Sequence, residues 1–131
     1  WCCRRPPMEK PSILICDDEE GVRESLRIML GKEYTLSFAE NGEEAVRHVR
    51  EHSPELVIMD VKMPKMDGLE ALGRIKQAKL HVCVLVITGY ESGEIAAQAM
   101  RLGADDYLTK PFKRDAVLEK VREIFRHRRG E

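Results

Sequence analysis

A chain of 131 residues, 43% apolar and 34% charged, has the makeup of one ordinary globular domain. Its formal net charge of −1 creates no overall field that would draw it to nucleic acid or to an anionic membrane. No apolar run approaches the roughly 18 residues of a membrane span and no signal peptide is legible, so neither a membrane nor a direct nucleic-acid partner is expected.

Residues 1–11 hold three prolines and no periodicity, which predicts a loose leader with the folded domain over 12–129. The chain does not begin with Met, while Met8 stands just before the first patterned segment, so residues 1–7 read as an upstream extension or an expression remnant. A short apolar run follows at 12–16 and stops at Asp17-Asp18-Glu19-Glu20. Val22, Leu26, Met29 and Leu30 then recur at helical spacing, with Gly31 closing the helix. Residues 34–39 read as a strand, Asn41-Gly42 as a turn, and 43–51 as a helix with Ala45, Val46 and Val49 inward.

Next comes Leu56-Val57-Ile58-Met59, an apolar run that leads straight into Asp60 and reads as a strand buried on both faces. Burying an ionised carboxylate is costly, which places Asp60 at the strand's end. After the loop 63–68, Leu69, Leu72 and Ile75 are in helical phase. An apolar run at 81–87 ends at Thr88-Gly89. Residues 91–102 are helical, with Ile95, Ala99, Met100 and Leu102 apolar, and Gly103 stops them. A fifth strand, 107–109, precedes Lys110-Pro111. The last helix, 115–127, carries Val117, Val121, Ile124 and Phe125 on one stripe.

Five strands alternating with five helices predict an α/β three-layer sandwich around a five-stranded parallel sheet. Of the two common strand orders we take the flavodoxin-like 2-1-3-4-5, which the pattern alone does not fix. Of the four cysteines, Cys2 and Cys3 lie in the leader. Cys16 and Cys83 lie in apolar runs, where a free thiol serves as a small hydrophobe. With no disulfide or metal spacing among them, a reducing, cytoplasmic location is expected.

In a parallel sheet all strands end on one edge, and ligands bind there. Asp17 and Asp18 follow the first strand, Asp60 the third, Thr88 the fourth and Lys110 the fifth. Three close carboxylates repel one another unless a cation is present, and their hard oxygens suit Mg²⁺. An ammonium and a hydroxyl complete what the oxygens of a transferring phosphoryl group require. Asp60 is the natural nucleophile, since carboxylates form aspartyl-phosphates. A salt-bridge network capping the sheet is the competing account, and the full set of residue types argues against it.

From about residue 12 to 127 the chain resembles the receiver domain of two-component response regulators. The residues that carry the resemblance are Asp17-Asp18, Asp60, Met63-Pro64 with Met66-Asp67-Gly68, Thr88-Gly89, Gly103-Ala104-Asp105-Asp106-Tyr107 and Lys110-Pro111-Phe112. The resemblance implies that Asp60 accepts a phosphoryl group from the phosphohistidine of a sensor kinase or phosphotransfer protein. It implies Asp18 as a direct Mg²⁺ ligand, Asp17 as an acid holding the metal through water, and the Lys62 backbone carbonyl as a further ligand. Thr88 and Lys110 would bind the phosphoryl group, the bond before Pro111 would be cis, and Tyr107 would turn inward on activation. The surface altered would be the last two helices and the fifth strand, which would control an output domain, a partner or a homodimer. The domain would catalyse only its own phosphorylation and dephosphorylation.

Lys62 and Tyr90, two residues beyond Asp60 and Thr88, are bulky and are expected to hinder hydrolysis; unaccelerated phosphate release from Lys62→Ala and Tyr90→Ala would refute this. Lys113 stands where the family often has a capping residue. His48 and His52, at i and i+4, read as a solvated helix face rather than a metal site. Residues 126–129 read as a frayed basic helix end, and Met59, Met63 and Met66 as packing. A flavodoxin-like cofactor binder would need a Ser/Thr/Gly-rich phosphate loop where the chain has four acids. An aspartyl-nucleophile phosphatase usually has a second acid where Lys62 stands. Residues 103–112 resemble receivers of winged-helix transcription factors and residues 87–90 those of enhancer-binding activators, which makes transcription regulation one expected output. A stand-alone receiver, a fragment of a regulator and a receiver from a hybrid kinase all stay open.

Overall fold

The computed structural model describes residues 10–62, 66–78, 81–89 and 93–128. Its strands are β1 (Ser12–Cys16), β2 (Thr35–Ala39), β3 (Leu56–Asp60), β4 (Cys83–Thr88) and β5 (Asp106–Thr109). Its helices are α1 (Glu20–Leu30), α2 (Gly42–His52), α3 (Gly68–Ala78), α4 (Gly93–Arg101) and α5 (Arg114–Arg128). The strands form one parallel sheet in the order β2-β1-β3-β4-β5, the flavodoxin-like solution.

The two-residue period of the strands sorts their side chains onto two faces. Leu14, Cys16, Val57, Met59, Val84 and Val86 pack with α2, α3 and α4 through Ala45, Val49, Leu72, Ile75 and Ala99. Ile13, Ile15, Leu56, Ile58, Leu85 and Ile87 point the other way, onto Leu26, Leu30, Val117, Val121 and Phe125 of α1 and α5. Both faces are therefore covered, which is why β3 is buried at all five positions and could be written without polar alternation. Each fully buried aliphatic side chain here is worth about 1.5–3 kcal/mol.

Local chemistry sets several boundaries differently from the sequence pattern. Asn41-Gly42 is not a free-standing turn but the start of α2. The Asn41 side-chain oxygen accepts the Glu44 N–H at 3.0 Å, and its amide donates to the Glu44 carboxylate at 2.9 Å. That is a side-chain helix cap with Asn as the cap, held by a second, side-chain contact to Glu44. A side chain on Gly42 would collide with the Met66 carbonyl, so this position also admits the loop before α3 against α2. Gly31 closes α1 in ordinary right-handed geometry rather than a left-handed cap, whereas Gly103, at φ 106°, takes the left-handed region that stops α4. Of the apolar residues around α4, Met100 and Leu102 are exposed, and Ala96 and Ala99 make the buried side of the helix. Met59 and Met66 are buried, while Met63 lies outside the described residues. The His48 and His52 rings stack at 4.4 Å.

The largest departure is at the C-terminal end, where Arg128 is not frayed. Its side chain is mostly buried and reaches under the sheet, donating from Nη1 to the His81 carbonyl at 2.6 Å and the Glu55 carbonyl at 3.3 Å. The Glu55 carboxylate lies 3.9 Å from Arg128 and accepts the Ser12 N–H at 3.2 Å. Lys76 performs a similar task beside it, donating to the Val82 carbonyl at 2.7 Å and lying 3.3 Å from Asp105. The Asp105 carboxylate in turn accepts the Val84 N–H at 2.8 Å. The starts of β1, β3, β4 and β5 are thus tied together by side chains of α3 and α5 and of the strand-start residues themselves. Arg129 lies outside the described residues.

Candidate functional site

The opposite edge, where the strands end, carries the acids. Asp60 closes β3 and remains buried, at 5% exposure, so the strand's end does not deliver it to solvent. Just beyond it the Val61 N–H donates to the Ile87 carbonyl, and the Gly68 N–H donates to the Val61 carbonyl at 2.7 Å. A side chain on Gly68 would collide with the Asp60 carbonyl oxygen, so glycine is what allows α3 to begin against the Asp60 backbone.

Asp17 follows β1 directly and is still deeper, at 1% exposure. Its N–H donates to the Ala39 carbonyl, its carbonyl accepts from Arg23 at 2.7 Å, and its Oδ1 accepts the Glu19 N–H at 2.9 Å. Its other oxygen, Oδ2, is buried with no hydrogen-bond partner among the described residues. Asp18 is exposed. Thr88, the last residue of β4, is buried, and its carbonyl accepts the Lys110 N–H at 2.8 Å, which carries the β5 end to the site. The Lys110–Pro111 peptide bond is cis.

From there the Lys110 ammonium projects into the acids. It lies 3.4 Å from Asp60 Oδ2, 3.5 Å from Asp17 Oδ2 and 3.8 Å from Glu19 Oε1. The structure therefore brings together Asp17, Asp18, Asp60, Thr88 and Lys110 at one edge. Lys62, next beyond, is exposed, and its backbone N–H bonds to the Asp60 carboxylate. Tyr107 stands on β5 with its ring partly in solvent, at 41% exposure. Met63, Pro64, Lys65 and Tyr90 lie outside the described residues.

Burial dominates the electrostatics. Desolvation pushes the Asp60 carboxyl above the ordinary carboxylate range, against the attraction of Lys110 and the Lys62 N–H. Asp17 is raised too, first by burial and then by Asp60 and Asp18, with the Glu19 N–H and Lys110 opposing. For Lys110, burial works against the ammonium, but Asp17, Asp60 and Glu19 outweigh it and raise its pKa. One lysine thus shares its charge among more acids than it can neutralise. Cys16, beneath the cluster, is pushed up to about 12 by burial and by Asp17, so it stays a neutral thiol.

Asp17, Asp18, Glu19 and Asp60 each offer an oxygen within 4.8 Å of the others. Ligand oxygens about 2.0–2.1 Å from a small hard cation lie up to roughly 4.2 Å apart across it, so the cluster has the scale of such a site. The Asp17 oxygen, buried with Lys110 at 3.5 Å but no hydrogen bond among the described residues, and the surplus negative charge fit a divalent cation.

The family model for the response regulator receiver domain matches residues 13–122. The chain belongs to this family. It is a signalling domain of two-component response regulators. The receiver is 37% identical over 113 residues to chemotaxis protein CheY of Halobacterium salinarum, covering 86% of this chain and 94% of that one. It is 36% identical over 115 residues to the alkaline phosphatase synthesis transcriptional regulatory protein PhoP of Bacillus subtilis, covering 87% of this chain but 48% of that protein. It therefore spans nearly all of one relative and about half of the other. Among solved structures, a CheY-like receiver domain protein from Methanospirillum hungatei matches with a TM-score of 0.89 at 27% identity, covering 93% of this chain and 98% of that one.

Sequence reading left Glu19 out of the receiver's site, although it belongs to the same four-acid run as Asp17 and Asp18. Gly68 was also missed as a site residue. The signal available for it was a glycine at a helix start eight residues beyond Asp60, which pattern alone does not separate from an ordinary loop glycine.

Proposed function

We propose that this receiver takes a phosphoryl group from a phosphohistidine, on a sensor kinase or a phosphotransfer protein, onto Asp60. The supporting observation is the convergence on one sheet edge of a buried Asp60, a lysine at 3.4 Å, a buried threonine and a surplus of acids. An Asp60 carboxylate oxygen forms the bond to phosphorus while the phosphorus–nitrogen bond breaks and the imidazole leaves. Asp17, Asp18, Asp60 and the Lys62 backbone carbonyl are the residues that would hold Mg²⁺, which supplies positive charge to offset that of the phosphoryl oxygens. Lys110 and the Thr88 hydroxyl would take the remaining oxygens.

The output is a change of surface. The Thr88 hydroxyl turns toward phosphorylated Asp60, and Tyr107 leaves its outward position to fill the space vacated. Converting such an equilibrium from 1:99 to 99:1 takes about 5.5 kcal/mol. Two or three charge-assisted contacts of roughly 1.5–3 kcal/mol each suffice. The α4-β5-α5 face, where Met100 and Tyr107 are exposed, then engages an output domain, a partner or a second copy. Control of transcription from the cytoplasm is the output we favour, in line with the regulator PhoP, about half of which this chain matches. No helix among the described residues is long and apolar enough to cross a membrane.

The test is incubation with acetyl phosphate and Mg²⁺ followed by intact mass measurement. One added phosphoryl group is expected on the native chain, and none on Asp60→Asn or in EDTA. Sustained turnover of phosphoesters without an adduct would overturn the reading.

A further inference from the structure

The acid cluster contains one member more than the transfer chemistry above employs. Glu19 sits two residues beyond the buried Asp17, whose Oδ1 fixes the Glu19 backbone by accepting its N–H at 2.9 Å. Its own carboxylate is largely exposed, yet it offers an oxygen within 4.8 Å of those of Asp17, Asp18 and Asp60. It also lies 3.8 Å from the Lys110 ammonium. Asp17 Oδ2, buried and without a hydrogen-bond partner among the described residues, faces the same ammonium at 3.5 Å and marks where positive charge is wanted.

We infer that Glu19 is a fourth acid of the divalent-cation site, pairing with Lys110 when no cation is bound and supporting the cation when one is. The inference rests on the cation site proposed above. Lys110 cannot satisfy Asp17, Asp60 and Glu19 at once, because its three donors must also serve an incoming phosphoryl group. A carboxylate at the rim has the reach to exchange one positive partner for another, since it is not packed in place. Its exposure also sets the size of the effect. Solvent and salt screen a rim charge far more than the buried Asp17, so Glu19 tunes affinity rather than creating it. Affinity for hard divalent cations rises with the number of charged ligands in the site.

Glu20 supplies the control. It is the next acid in the run and lies on the first turn of α1, outside the four-acid group. Titration calorimetry with Mg²⁺ alone should be run on the native chain, Glu19→Gln, Glu19→Asp and Glu20→Gln, at low and high salt, with unfolding curves in EDTA to establish that each variant is folded. Glu19→Gln is expected to weaken Mg²⁺ binding about fivefold at low salt, the size of effect expected for one screened charge acting on a divalent ion. Glu19→Asp should recover part of the loss, Glu20→Gln should bind as the native chain does, and the gap should shrink at high salt. Equal affinity in Glu19→Gln and Glu20→Gln would overturn the inference while leaving the cation site standing. A native chain that binds no Mg²⁺ would overturn the site itself.

Discussion

The two edges of this sheet hold buried charge in opposite ways. Where the strands begin, Arg128 and Lys76 spend their donors on the Glu55, His81 and Val82 carbonyls, while the Glu55 and Asp105 carboxylates accept backbone N–H groups from Ser12 and Val84. Where the strands end, one lysine faces three acids, an Asp17 oxygen has no hydrogen-bond partner among the described residues, and burial raises both Asp17 and Asp60. A charge whose donors are bound to backbone carbonyls fixes structure, and a charge left wanting is available for a ligand. The first edge is built for stability and the second for chemistry.

Removing one side chain from each edge should break the molecule differently. Lys110→Ala strips two buried carboxylates of the ammonium they share and is expected to cost about 3 kcal/mol in urea unfolding at neutral pH in EDTA. Added Mg²⁺ should restore part of that loss, because an ion can stand in for the missing positive charge. Arg128→Ala leaves two carbonyls short of a donor and Glu55 short of a partner, for about 2 kcal/mol. Here Mg²⁺ should restore nothing, and Mg²⁺ affinity at the far edge should stay native. If Arg128→Ala weakened Mg²⁺ binding as strongly as it weakened the fold, the two edges would not be the separate devices described here.

The same contrast explains what could be read from the sequence. Elements and their burial were legible because β1 and β3 are unbroken apolar runs of strand length and apolar residues recur with helical spacing in α2 and α5. The polar strand ends were legible because a parallel sheet collects them on one edge whatever the strand order. The stabilising edge was not. Arg128 lies 73 residues from Glu55, and nothing in a basic helix end distinguishes a side chain that folds under the sheet from one left in water. Asn41-Gly42 serves a turn or a helix cap equally well in sequence, and only the Glu44 contact decides between them. The depth of Asp17 was likewise invisible, since its immersion depends on Ala39 and Arg23 closing around its backbone.

The smallest effect is the most direct measure of the unsatisfied edge. The folded pKa of Asp60 is raised above its ordinary value of 3.8, with burial the leading cause. The folded state therefore holds the Asp60 proton more tightly than the unfolded state does. The cost of the buried charge is present in full above the folded pKa. It is relieved as pH falls through that pKa toward 3.8, the reverse of a carboxylate stabilised by its partners. Asn at position 60 is neutral at every pH. Asp60→Asn should accordingly be more stable than the native chain by about 1 kcal/mol in EDTA at neutral pH. That gap should close as the pH is lowered into the carboxylate range and native Asp60 becomes neutral too. Saturating Mg²⁺ at neutral pH should reverse the sign, because the native carboxylate then has the partner it lacked. A gap that stays constant with pH, measured as the difference between two urea unfolding series, would mean that Asp60 is already satisfied by Lys110 and that the two edges hold their charges alike.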